Sequence, residues 1–292
     1  MLQSSSLRSK ELAKKKRNRR LVRLGVVVGG FVLIVGLLSY GAHRKEIRIS
    51  AVELSGGVLV TQPEVQADAF SYLAGSYFWL FPKNNALLYS RTGLENHLRA
   101  DFPRISEIVV SLKNFHTLLV TIRERTPQAH CCDMQPGNNS ATSTDSTLTA
   151  TPPHCYFMDS TSSIFAPAPD FSGDAYFKYY GLLDTSTSTP IGMQYIASST
   201  EFAAINNFIE SMRQMSLDPA YLSAQDNGDF TVALDNGAKI YFNISSVSDA
   251  ATNLAALLRT PTISRGASHE LLVDYIDLRF GNKLFYVPKK SE

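Results

Sequence analysis

Several catalytic signatures are missing from this chain of 292 residues. It has no H-E-x-x-H zinc motif, no G-x-S-x-G nucleophile elbow and no G-x-x-x-x-G-K phosphate loop. No lysine follows a serine by three positions, so the S-x-x-K nucleophile of penicillin-binding proteins is absent too. Asp226 and Asp229 are paired carboxylates, but they flank a turn, where Asp is ordinary turn chemistry. These absences argue against an enzyme: no catalytic residue, no cofactor and no small-molecule substrate are expected. Cysteine is scarce, with three in the chain, and Trp79 is the one tryptophan. Charge is absent altogether from Leu24 to Ala42.

That uncharged run organises the rest. As a helix it would span roughly 28 Å, close to the hydrocarbon thickness of a bilayer. Gly25, Gly29, Gly30, Gly36 and Gly41 lower its helix propensity in water, yet glycine is common in membrane helices, where the backbone has no other partner. Nine of the 28 Lys/Arg and one of the 26 Asp/Glu precede Leu24, which leaves 19 bases against 25 acids after it. The excess of positive charge stays in the cytoplasm, so residues from His43 onward are expected outside. Ser39-Tyr40-Gly41 is a passable signal-cleavage site, but the basic region is long and the apolar run exceeds the usual 7–15 residues or so. An uncleaved inner-membrane anchor is therefore favoured over a signal peptide. The acidic remainder offers no basic face for phosphates, so nucleic-acid binding is not expected.

Beyond the anchor the pattern is α+β. Ile47, Ile49, Val52 and Leu54 read as a strand that stops at Gly56-Gly57. Thr61-Gln62-Pro63-Glu64 reads as a capping box that opens a helix to about Leu73. Tyr77, Phe78, Trp79, Leu80 and Phe81 are expected in the core, with an exposed binding patch as the alternative. A helix over about 91–99 and strands at Ile105–Leu112 and Thr117–Glu124 complete a β-α-α-β-β unit, helices on one face of a three-stranded sheet. The Ser/Thr-rich stretch Asp133–Pro153 should be disordered and unnecessary to the fold. After it, Cys155–Asp159 and Ile164-Phe165 pair as a hairpin, and a looser aromatic segment runs to Pro190. Ser198-Ser199-Thr200-Glu201 opens a helix with Phe202, Ile205, Phe208, Ile209, Met212 and Met215 on one stripe. Strands at Tyr221–Gln225, Phe230–Leu234 and Lys239–Phe242 are punctuated by two Asn-Gly turns. A helix over about 248–259 and the strands Leu271–Phe280 and Lys283–Val287 end the chain as a mixed sheet with helices against it.

His130-Cys131-Cys132 and His154-Cys155 bracket the insert. A disulfide from Cys155 to Cys131 or Cys132, free thiols, and a tetrahedral zinc site of two His and two Cys all remain open. The first would close a loop worth about 3 kcal/mol in the chain-entropy model and leave one thiol over.

The layout resembles one family, the bitopic bacterial cell-division proteins FtsQ and DivIB. The resemblance is carried by Ile49–Gly56 with Thr61-Gln62-Pro63-Glu64 behind it, and by Leu118–Ala129, similar to the family's "tLxIxvxERxPxA". Tyr275-Ile276-Asp277-Leu278-Arg279-Phe280 is like its terminal "YxDLRY/F". Lys113–His116 lacks the proline usual in that turn, and the cysteine-flanked insert departs from the pattern. The resemblance implies a cytoplasmic tail (1–23), a membrane helix (24–42), a POTRA domain (43–129), the insert (130–155), a β domain (156–288) and a short tail (289–292). It further implies a scaffold at the division septum that binds FtsB/DivIC- and FtsL-type partners by strand addition. The matching positions are Arg279 and Phe280, then Lys283, Leu284, Phe285, Tyr286 and Val287. Alternation along the strand would put Phe280 on the buried face with Ile276 and Leu278, and would let Asp277 and Arg279 pair. Two rivals are a POTRA-bearing transport or assembly factor, which would usually continue into a β-barrel, and an anchored cell-wall hydrolase.

The charge imbalance across Leu24–Ala42 yields a topology prediction. A reporter active only outside the cytoplasm should work when fused after Pro288 and stay silent when fused before Leu24.

Overall fold

The computed structural model describes residues 4–133, 155–169, 175–181, 189–225, 228–260, 271–281 and 283–289, with side chains from residue 15 onward. Expectations for the insert beyond Asp133, and for Asp226, Asn227, His154 and Asn282, lie outside the described residues. The architecture is α+β, with an N-terminal apolar helix and a large mixed sheet.

Helix α1 (Ser4–Ala42) is continuous through the basic tract, whose Lys, Arg, Leu and Ala are strong helix formers. From Lys15 to Ala42 it is long and apolar enough to cross a membrane. Val26, Phe31, Leu33, Leu37 and Tyr40 are all exposed, so no one face of it is packed against protein.

The chain divides into two compact units, Met1–Glu124 and Arg125–Glu292. In the first, strands β1 (Ala51–Ser55), β4 (Ile105–Asn114) and β5 (Thr117–Glu124) form a sheet in the order β1-β5-β4. Strand β1 runs parallel to β5, and β5 antiparallel to β4. Helices α2 (Gln62–Tyr72) and α3 (Arg91–Asp101) bury Val65, Ala69, Leu94 and Leu98 against Val52, Ile108, Val110, Leu118 and Val120. Each Val, Leu or Ile of this set contributes about 1.5–3 kcal/mol when fully buried. Glu64 begins α2 as the sequence suggests, its carboxylate accepting from the Thr61 N–H at 3.0 Å and the Thr61 hydroxyl at 2.7 Å. Gly56 adopts φ +90°, and a Cβ there would lie 2.2 Å from the Ile122 carbonyl oxygen, so only glycine fits.

One expectation for this unit is overturned. The aromatic cluster is not core: β2 (Ser76–Tyr77) and β3 (Phe81–Pro82) pair as a short hairpin with Phe78 and Trp79 at its tip. Phe78 is 87% exposed and Trp79 95%. Runs of apolar residues usually signal burial, but the three-residue loop 78–80 projects Phe78 and Trp79 away from both strands.

The second unit is built on a nine-stranded sheet in the order β14-β13-β12-β11-β10-β9-β6-β7-β8. Its strands are β6 (Ala129–Cys132), β7 (Cys155–Met158), β8 (Ile164–Pro167), β9 (Phe177–Tyr180), β10 (Pro219–Ala224), β11 (Asp229–Leu234), β12 (Lys239–Asn243), β13 (Val273–Phe280) and β14 (Lys283–Pro288). Residues 130–132, expected within the insert, are the end of β6, and the looser segment contains β9. Both lie mid-sheet, β9 parallel to β6 on one side and to β10 on the other. Helices α4 (Ser199–Gln214) and α5 (Val247–Leu258) cover the core with Phe202, Ile205, Phe208, Ile209, Leu254 and Leu257. Ser198 caps α4 by accepting from the Glu201 N–H at 3.2 Å.

Glu124 and Arg125, neighbours in the chain, serve different units. Glu124 Oε1 accepts from the N–H groups of Val58, Leu59 and Val60, each at 2.8 Å. Burial alone would raise its pKa, but these three donors, with the nearby Arg104, hold it below the ordinary carboxylate value. Arg125 pairs with Asp159 instead. Because the folded pKa of Glu124 is depressed, its stabilisation is full above the unfolded value of about 4.3 and fades as pH falls through the folded one. Amide exchange at Val58–Val60 should therefore accelerate on acidification. Glu124→Gln should accelerate it at neutral pH, by an amount equivalent to about 1.5–3 kcal/mol for charge-assisted bonds, and flatten the acid response.

Candidate functional site: the C-terminal sheet edge

The two edges of the large sheet are finished differently. At β8, the Ile164 N–H donates to the Met193 carbonyl at 2.9 Å and the Ile164 carbonyl accepts from Gly192 at 2.8 Å, so the start of that edge is covered by chain. At β14, the one strand partner among the described residues is β13. The Lys289 N–H donates inward to the Leu272 carbonyl at 3.0 Å. By alternation, Val287 and Phe285 also turn their N–H groups toward β13, whereas Leu284 and Tyr286 turn theirs outward. Pro288 occupies an outward position, where a missing donor costs the ladder nothing. Leu284 and Tyr286 are thus the residues whose backbone an added strand would meet.

Side chains alternate in the same register. Leu284 and Tyr286 pack against the main core, while Lys283 and Phe285 are exposed. A bulge between Asp277 and Phe280 shifts the register of β13 against β14. It corrects the simple alternation expected for Phe280: this side chain is 54% exposed and stacks edge-on to Phe285 (53% exposed) with ring centroids 5.4 Å apart. Arg279 does pair with Asp277, through Nε–Oδ1 at 2.9 Å and Nη2–Oδ2 at 2.7 Å. Its Nη1 reaches Asp229 Oδ2 at 3.0 Å. Burial pushes the Asp277 carboxyl up, but the bonds from Arg279 outweigh it and leave the pKa low. The bonds to Asp277 and Asp229 raise that of Arg279. The guanidinium also sits 5.5 Å from the Tyr241 ring centroid and 5.8 Å from that of Phe280. Of the residues expected at a partner site, Phe280, Lys283 and Phe285 therefore offer side-chain surface, Leu284 and Tyr286 offer backbone, Val287 is half-buried, and Arg279 props the platform from within.

Tyr241 belongs to no motif in the sequence, and Asp229, read above as ordinary turn chemistry, is here a partner of Arg279. Tyr241 and Tyr275 meet at 5.8 Å and extend the aromatic face across β12 and β13. The signal was present in the alternation of Lys239-Ile240-Tyr241-Phe242-Asn243, which turns Tyr241 away from the core.

The cysteine alternatives resolve to a disulfide between Cys132 and Cys155, which are register partners in β6 and β7. Sulfurs so bonded cannot ligate zinc as thiolates, which overturns the two-His, two-Cys reading. Cys131 is the thiol left over, buried in the main core, and burial pushes its pKa up to about 12. The His130 ring lies against Phe157 and Tyr176, and burial, then the charge of Lys178, lowers its pKa. One cluster without a cysteine could accept a cation by composition: Asp68, His97 and Asp101. His97 Nε2 lies 3.2 Å from Asp68 Oδ1 and 3.5 Å from Asp101 Oδ2, within ion-pair distance of both, while neither Nε2 nor Asp68 Oδ2 makes a well-formed hydrogen bond among the described residues.

No family model matches the chain, and no curated protein does either.

The buried thiol gives a direct check. A maleimide at neutral pH should leave Cys131 unlabelled in the native, non-reduced protein and label one cysteine per chain once the protein is unfolded without reductant, as counted by mass.

Proposed function

We propose that this chain is a membrane-anchored, non-enzymatic scaffold of the FtsQ/DivIB type. In this reading α1 crosses the inner membrane with the basic tract in the cytoplasm and both compact units outside. The scaffold holds FtsB/DivIC- and FtsL-type partners at the division septum and so coordinates septal cell-wall synthesis. The observation that carries it is the outer side of β14, which no strand among the described residues covers, next to exposed Phe280 and Phe285. A partner strand laid there would gain backbone bonds from Leu284 and Tyr286 and side-chain contacts from the two rings. Two further features support the reading. Apart from the β2–β3 hairpin between its helices, the first unit has the β-α-α-β-β order and β1-β5-β4 sheet expected of a POTRA domain. The Glu124-Arg125 pair gives the family-like "ER" a structural task on each side.

The test separates backbone from side chain. Tyr286→Pro and Tyr286→Ala both lose the ring, but only the proline loses the outward N–H. Binding of an FtsB-type ectodomain to the full-length protein should weaken about tenfold more for the proline variant, roughly the worth of one backbone bond. Phe285→Pro should instead lower the melting temperature, because its N–H points inward to β13. Equal affinities for the two Tyr286 variants would move the site away from β14.

A further inference from the structure

The β2–β3 hairpin stands at the outer end of α1. Ser39, one turn short of the end of the helix, donates its hydroxyl to the Leu80 carbonyl at 2.6 Å. The neighbouring loop is tied to the same helix end by Asn85, whose Nδ2 donates to the Ala42 carbonyl at 2.9 Å. Ser39 lies three residues inside Ala42, roughly 4.5 Å along the axis. A membrane that covers the apolar run to Ala42 therefore also reaches the level of Leu80, and Phe78 and Trp79 are one and two residues away.

The tip is built against the ordinary chemistry of turns. The Leu80 N–H donates to the Tyr77 carbonyl at 3.0 Å, closing a tight turn centred on Phe78 and Trp79 within the three-residue loop between the paired Tyr77 and Phe81. Both central residues have positive φ, 50° at Phe78 and 59° at Trp79. Asn-Gly usually fills such a turn, and a bulky side chain in it is strained. Here that strained position presents the chain's one tryptophan and a phenylalanine, neither packed on its own fold. Around them, Arg44 stacks over Tyr40 at 5.5 Å and Lys83 over Tyr77 at 5.9 Å, cations on aromatic rings at the same end of the helix. Aromatic rings flanked by Lys and Arg are the composition of a membrane–water interface.

We propose that the β2–β3 hairpin is a second membrane contact, with Phe78 and Trp79 inserted into the lipid interface beside the Ala42 end of α1. The partner is the bilayer itself: acyl chains around the rings and headgroup phosphates near Arg44 and Lys83. The inference rests on α1 being a membrane span, and it adds a point of attachment that keeps the first unit against the lipid.

Trp79 supplies its own probe. The full-length protein is reconstituted into vesicles of phosphatidylethanolamine and phosphatidylglycerol, with and without lipids brominated near the headgroup. Flotation with the vesicles reports on α1, and Trp79 emission reports separately on the hairpin. The expected result is flotation with a blue-shifted emission that loses most of its intensity to brominated lipid and little to aqueous iodide. Phe78→Asp should still float but shift the emission back to the red and lose the bromine quenching. Flotation with an iodide-quenched, bromine-insensitive tryptophan overturns the hairpin contact and leaves the anchor standing. So does an emission that turns blue only when a protein partner is added. Failure to float overturns both.

Discussion

An open sheet of nine strands has two outer edges, and every backbone group on them must find a partner in water or in protein. At β8 the chain solves this internally, with Gly192 and Met193 laid along Ile164. At β14 no strand among the described residues does so, and β14 carries few of the devices that usually blunt an edge. Pro288 and Lys289 stop it at one end and Lys283 stands at the other, but Leu284–Val287 between them is uncharged. The open backbone of the second unit is therefore concentrated, among the described residues, on a strip a few residues long, held in register by β13.

Much of this was legible in the sequence because it rests on local chemistry. The capping residues Thr61 and Ser198 mark the starts of α2 and α4, and the apolar stripe Phe202–Met212 marks the buried face of α4. What was illegible depends on partners distant in the chain. Strands β6 and β9 lie side by side in parallel, a pairing for which neither segment carries a local sign. The exposure of Phe280 follows from a bulge, one extra residue that resets the alternation by which inward and outward are read. Phe78 and Trp79 were illegible for another reason: hydrophobicity signals removal from water but does not say by what, and here the fold leaves both rings exposed.

Within the chain, the succession Glu124-Arg125 places opposite charges on consecutive residues. Glu124 neutralises three backbone donors of the 58–60 loop in the first unit, and Arg125 engages Asp159 in the second. Such charge-assisted bonds are the stronger kind, and each here is satisfied within its own unit. The dipeptide can therefore not be shifted by one residue in either direction without stranding both charges.

The bond between Cys132 and Cys155 has a consequence for how this chain tolerates change. It joins the two residues that open the β6–β7 ladder, with 4.1 Å between their Cα atoms, and spans 23 positions of sequence. In the oxidised protein those positions form a closed ring whether the unit is folded or not. The entropy of closing the ring is then common to both states, so the ring's circumference cancels from the folding equilibrium. Lineages could lengthen, shorten or rewrite that ring without retuning the sheet, and an experimenter could splice an epitope or a dye-binding peptide into it for the same reason.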